Sequence, residues 1–357
     1  MHVIFLIHGM GSHEKGKWSK GVQEAIGAHY DPKKYAFLEK FHPFEKHFEF
    51  VEINYNDHFE KYLDEAKKQA DRLGDWSKLA HPIDLDELGL LGELVELASK
   101  APSKTFGVTH LADVALYMAT DIGELVKNSI ARQIADRLDP ARFKPKDDSW
   151  SVIAHSLGTR VMTEVLQAGF TAVPSLVHFG KVRLLMQVAN TSRLLQKYSP
   201  VNAGDVYHNI VFPSVNAAAG CCEYYVTVTH RLDPVAFIEE FDPPATFGDH
   251  RTHLDEVYHG VKLGLTDITS RHIHDLDHYF EHPEVHTTLF RYLLPGSGKR
   301  QPTKAEMETA MEAYQKKTLL AQVTDTWRTS LTELKNQPSK KIQEIFNVWG
   351  KFGALIT

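Results

Sequence analysis

Apolar and polar positions change their spacing along the chain in a repeating order. Val3-Ile4-Phe5-Leu6-Ile7 is a run of β-branched, aromatic and aliphatic residues that reads as a strand and stops at the Gly-rich turn Gly9-Met10-Gly11. A helix is expected next, over residues 18–29. In Phe50-Val51-Glu52-Ile53-Asn54-Tyr55 apolar and polar side chains alternate, which predicts a second strand within residues 48–55. From 57 to 139 the spacing turns helical. Leu85, Leu88, Leu91, Leu94 and Val95 recur at three- and four-residue intervals with acidic residues between them, and 111–138 reads as one or two helices ended by Pro140. Residues 85–97 are expected to form a packed helix, and their place between strands also makes the segment a candidate lid.

Trp150-Ser151-Val152-Ile153-Ala154 reads as a buried strand, and 159–167 as a helix with Val161, Met162, Val165 and Leu166 on one side. Two more strands are expected, at 182–189 and 224–229. Strands that alternate with helices imply an α/β fold with a mainly parallel central sheet flanked by helices on both faces. Pro295-Gly296-Ser297-Gly298 marks a boundary between a main domain, 1–295, and a helical C-terminal extension, 296–357. In that extension Ile342, Ile345, Phe346, Trp349 and Phe352 form an apolar stripe. It is expected to dock on the main domain; a second copy or a membrane surface are the other surfaces such a stripe can cover.

Composition narrows the function classes. A chain of 357 residues with 43% hydrophobic and 24% charged residues suits a soluble globular protein with one large core or two smaller ones. Its formal net charge of -6 lacks the basic footprint of a nucleic-acid binder. The two cysteines, Cys221-Cys222, are adjacent and cannot staple distant parts of the chain, which fits a reducing compartment. The first eight residues, Met1 to His8, lack the basic flank and cleavage site of a secretory signal. Nor does any uncharged run approach the ~20 apolar residues of a membrane span. A cytoplasmic location is expected.

Candidate chemistry centres on Ala154-His155-Ser156-Leu157-Gly158. A small-x-Ser-x-Gly pentapeptide turns up by chance in roughly one chain in four of this length, so its context decides. Here the serine follows an apolar strand and precedes a helix with no room for a longer loop. That tight strand-turn-helix lifts a serine oxygen above the end of a parallel sheet, and small residues such as Ala154 and Gly158 let the bend close. His155 is expected to point away from the nucleophile and to be structural.

With His8-Gly9-Met10-Gly11 after the first strand, this pentapeptide resembles the α/β-hydrolase superfamily of lipases and esterases. Trp18 and Leu111-Ala112-Asp113-Val114 narrow the resemblance to intracellular, phospholipase-like members; Ala154 in place of glycine is a departure. The likeness covers about residues 1–295 and implies an α/β-hydrolase fold. It implies Ser156 as nucleophile, with the backbone N–H groups of Met10 and Leu157 as oxyanion donors and His8, Gly9 and Gly158 supporting the turn. Asp233, in Asp233-Pro234-Val235 after a late strand, is the implied acid, with Glu239 and Asp242 as the nearest substitutes. The order Ser, Asp, His then requires a base later in the chain. Similar enzymes place it before a Tyr-aromatic pair and a Pro-x-Val helix start, matched by Tyr279-Phe280 and Pro283-Glu284-Val285. Both His274 and His278 fit. His274 is preferred because it follows a short strand expected to end at Ile273 and starts a His-Asp pair.

The expected activity is hydrolysis of carboxylic esters, lipid esters among them, through an acyl-enzyme. Acyl transfer or amide hydrolysis by the same triad, and a non-catalytic hydrolase fold that only binds, are the alternatives. His272-x-His274 with Asp277-His278 misses the metallo-β-lactamase-type pattern by one residue and sits late in the chain, so neither a metal nor another cofactor is expected.

Overall fold

Alternate residues of the first strand, β1 (His2–Ile7), enter two different cores. Val3, Phe5 and Ile7 belong to one, Ile4 and Leu6 to the other, the period-2 consequence of a pleated backbone buried on both sides. The computed structural model describes residues 1–9, 15–58, 61, 117, 122–171, 176–192, 210–216, 218–231, 233, 241–242, 247, 254–264, 267–269, 274–296 and 300–318.

Within those residues the chain runs β1, α1 (Lys17–His29), β2 (Phe48–Ile53), α2 (Ile122–Arg137), β3 (Ser149–His155), α3 (Leu157–Thr171), β4 (Val182–Val188) and β5 (Cys222–His230). A single helical turn, α4 (Leu254–Val257), then leads to β6 (Tyr258–Leu263), α5 (Leu276–Phe280), α6 (Pro283–Leu293) and α7 (Lys304–Gln315). All six strands are parallel, in the order β2-β1-β3-β4-β5-β6. The protein is therefore an α/β structure with a parallel central sheet between layers of helices.

Helices α2 and α3 cover one face through Val126, Ile130, Ile134, Val161, Met162, Val165 and Leu166. Helices α1, α5 and α6 cover the other through Val22, Ile26, Leu276, Tyr279, Val285, Leu289 and Phe290. Each residue of this size taken fully out of water contributes about 1.5–3 kcal/mol. Truncating Ile153, fully buried in β3, to alanine is accordingly expected to cost about 2–5 kcal/mol.

The strand order carries the functional geography. From β1 the chain steps to the edge strand β2 and then returns to the opposite side of β1 as β3. Loops leaving the carboxyl ends of β1 and β3 diverge at such a reversal and open a crevice, the usual ligand position in open parallel sheets. The boundary predicted at Pro295 is crossed by packing: Thr303 and Glu306 form a reciprocal cap on α7, and Glu306 Oε1 also accepts from Ala36 N at 2.7 Å. Met307 and Ala310 of α7 lie against the α1-side core. The leucine-rich segment 85–97 and the apolar stripe at 342–352 lie outside the described residues. Among the described residues, no helix is long and apolar enough to cross a membrane.

Candidate active site

Ser156 joins β3 to α3 in the left-handed backbone region, with φ 52°. A non-glycine residue pays roughly 1–2 kcal/mol for that conformation, and the surrounding bonds hold it there. Its N–H donates to Val188 O of β4 at 3.0 Å, and its carbonyl accepts from Thr159 Oγ1 at 2.6 Å and Thr191 Oγ1 at 3.0 Å. The side chain is buried, and among the described residues Oγ makes no hydrogen bond. Two glycines permit the bend. A Cβ on Gly158 would overlap the carbonyl oxygen of His8, and a Cβ on Gly9 would stand 2.7 Å from Ser156 Cβ and 3.2 Å from its Oγ.

The turn after β1 is braced from beneath. Tyr55 OH donates to His8 O at 2.5 Å and to Gly9 O at 3.2 Å, while His8 Nδ1 bonds Gly9 O at 2.8 Å. The His8 ring stacks on Tyr55 at 4.2 Å and meets Trp18 edge-on at 5.7 Å. Leu157 is fully buried at the first position of α3, where N–H groups have no intrahelical partner to bond. Met10, the other expected oxyanion donor, lies outside the described residues.

Forty-one positions separate Asp233 and His274, yet Asp233 Oδ2 stands 2.7 Å from His274 Nδ1. The carboxylate side chain is completely buried and that of the imidazole is 5% exposed. Tyr279 OH donates to the same Oδ2 at 2.5 Å. Burial by itself would raise the Asp233 carboxyl; the charge and hydrogen bond of His274, the Tyr279 hydroxyl and the charge of His155 outweigh it and hold the group at about 2. A carboxylate anion facing Nδ1 places the ring proton on that nitrogen and leaves Nε2 as the basic one.

His278 occupies a different setting, four residues on in α5. Its Nδ1 shares a hydrogen bond with Thr269 Oγ1 at 3.0 Å, and its ring lies against His230 at 5.7 Å and Tyr279 at 6.1 Å. Burial, reinforced by the neighbouring His230, lowers its pKa to about 4.

No family model matches the chain, and no curated protein matches it.

Ser156, Leu157, His8, Gly9, Gly158, Asp233 and His274 all follow or flank the carboxyl ends of β1, β3, β5 and β6. Asp242 is half-buried and Glu239 lies outside the described residues. So does the strand expected to end at Ile273. The ring of His155, buried, lies 4.7 Å from that of His274, and its Nδ1 would stand 3.3 Å from a Cβ on Gly9. By pleat parity His155 shares the face of Ile153, the face on which α5 packs. Tyr55 was given no role in the sequence analysis, where it is only the end of an alternating run, and Tyr279 served there only as half of the Tyr-aromatic pair that follows the base, with no role of its own.

Proposed function

We propose that this protein is a serine hydrolase of the α/β-hydrolase kind that cleaves carboxylic esters, with Ser156 as nucleophile, His274 as general base and Asp233 as the acid that orients it. The observation that carries the reading is the buried Asp233–His274 pair at 2.7 Å, at the same sheet end as a serine forced to φ 52°. Such a conformation is retained where a side chain must be presented at the head of a strand.

Each residue then has a chemical task. His274 Nε2 takes the proton of Ser156 as Oγ attacks the acyl carbonyl, and Asp233 stabilises the imidazolium that forms. The N–H of Leu157, at the positive end of α3, is a donor for the developing oxyanion, and the resemblance implies the Met10 N–H as the second. Departure of the alcohol leaves an acyl-enzyme. Water deprotonated by the same imidazole then releases the acid. Gly9 and Gly158 allow the close approach of the two turns, and Tyr55 with His8 holds the first of them.

A fluorophosphonate probe tests the reading. It is expected to label the wild-type chain at Ser156 and to leave Ser156→Ala unlabelled, while a chain-length series of p-nitrophenyl esters reads turnover. Absence of labelling in the wild type, or labelling that survives Ser156→Ala, overturns the proposal. The ester series with and without lipid vesicles then separates soluble esters from lipid esters as substrates.

A further inference from the structure

Tyr279 stands in α5 with no exposed surface, and its hydroxyl and the His274 ring meet on one oxygen of Asp233. We infer that Tyr279 is a positioning residue that tunes, through Asp233, how tightly the His274 ring holds its proton. The inference rests on the reading of His274 as the general base.

A buried phenol needs an acceptor, and a backbone carbonyl would serve. Here the acceptor is the anion that faces the imidazole. Burial, and then the charge of Asp233, push the Tyr279 hydroxyl well above its usual range, so it stays protonated and donates its proton to that anion. A donor on Oδ2 withdraws part of the negative charge that would otherwise stabilise the imidazolium through Nδ1–H. The tyrosine ring is packed with Leu276 and Phe280 in the α1-side core, which fixes the direction from which its hydroxyl reaches Oδ2.

Other titratable groups crowd the same pair. His155 lies against the His274 ring. The rings of His230 and His278 flank Tyr279 at 6.5 and 6.1 Å, and Asp267 stands behind them with its carbonyl on His230 Nε2 at 3.1 Å. Burial keeps both of these histidines below their usual range, His278 at about 4. Around neutral pH they are uncharged, and Asp233, whose Oδ2 is shared with Tyr279, is the charged group bonded to His274.

The test compares wild type with Tyr279→Phe, which removes the hydroxyl and keeps the ring. In Tyr279→Phe the acid limb of the kcat/KM profile is expected to move to higher pH by about 0.5–1 unit, because a carboxylate relieved of the Tyr279 donor holds the imidazolium more tightly. The plateau is expected to fall about tenfold, the size of one lost hydrogen bond to a charged group. The ring titration of His274 followed by NMR, assigned by comparison with His274→Ala, should rise by the same amount. Incorporating 3-fluorotyrosine at position 279 strengthens the donor and should move both readouts to lower pH; it also carries the test if Tyr279→Phe fails to fold. Acid limbs and ring titrations that superimpose on those of wild type in both variants overturn the inference, even where the rate falls, because a merely structural role lowers the rate without moving them. If the wild type resists the fluorophosphonate probe, the hydrolase reading fails by itself, and the ring titrations alone decide whether Tyr279 tunes His274.

Discussion

The two halves of the site are built in opposite ways. On the proposed nucleophile side, strand, Ser156 and helix are consecutive, and the strained turn is held by a backbone bond to Val188 and by the hydroxyls of Thr159 and Thr191. On the proposed acid–base side, Asp233 and His274 follow different strands, 41 positions apart, and meet through side chains, with their own 2.7 Å contact and the Tyr279 hydroxyl among the bonds that hold them. The first half is a local structure with glycines where two turns touch. The second is a tertiary structure that exists only when β5, β6 and α5 are all in place.

Substitutions should expose this difference in order of size. The largest loss is expected where either half loses a reacting group: Ser156→Ala and His274→Ala should each lower kcat by about 10⁴-fold or more, measured on a p-nitrophenyl ester. His278→Ala should leave kcat within about fivefold of wild type while lowering stability, since its ring packs on Thr269, His230 and Tyr279. Activity that survives His274→Ala and is lost in His278→Ala would reverse the assignment. Next comes Asp233→Asn, expected to cost about 10³–10⁴-fold in kcat by presenting the wrong group to Nδ1, with Ser156 still reactive but slow toward the probe.

The nucleophile half should respond to crowding instead of charge. Gly9→Ala puts a methyl 2.7 Å from Ser156 Cβ, so about a hundredfold loss of kcat/KM is expected at near wild-type Tm. An alanine that leaves kcat/KM unchanged would show that the two turns are looser than their contact implies.

Acid separates the halves in a further way, and the smallest. His2 and His286 are held at about 3 and His278 at about 4, in each case chiefly by burial. In the unfolded chain these groups take up protons near pH 6.5, while the folded protein refuses them. Their contribution to stability is therefore present above pH 6.5 and is lost as the pH falls toward 4 and below. Asp233, at about 2 when folded, adds a loss below pH 4. Tm measured from pH 7 to 4 should decline, and the slope should ease in His278→Gln. A flat Tm over that range would contradict the buried neutral histidines.

Much of the fold was legible because its signals are short in range. The strand at Val3, the helix after Gly16 and the strand-turn-helix at Ser156 each depend on residues a few positions apart, and each stands where expected, apart from end residues such as Asn54 and Tyr55 beyond β2. The edge strand β6 was missed, although Val261 and Leu263 alternate with exposed Gly260 and Lys262; one buried face of an edge strand is a weak pattern. The closeness of His155 to His274 arises across two elements, so the sequence carries no sign of it.

From the sequence alone came the α/β class and the strand-turn-helix setting of Ser156, since each follows from period-2 and period-3.6 burial and from a tight local bend. The contacts of Gly9 with Ser156 and of Gly158 with His8 join turns far apart in the chain and belong to the tertiary structure. In the sequence the pairing of Asp233 with His274 was left open. His274 and His278 sit four residues apart in one histidine-rich stretch, and local features favour His274 without excluding His278. Only packing of α5 against the sheet turns one ring to the carboxylate and the other to Thr269, because that contact is made across 41 residues and its geometry is set by the core between them.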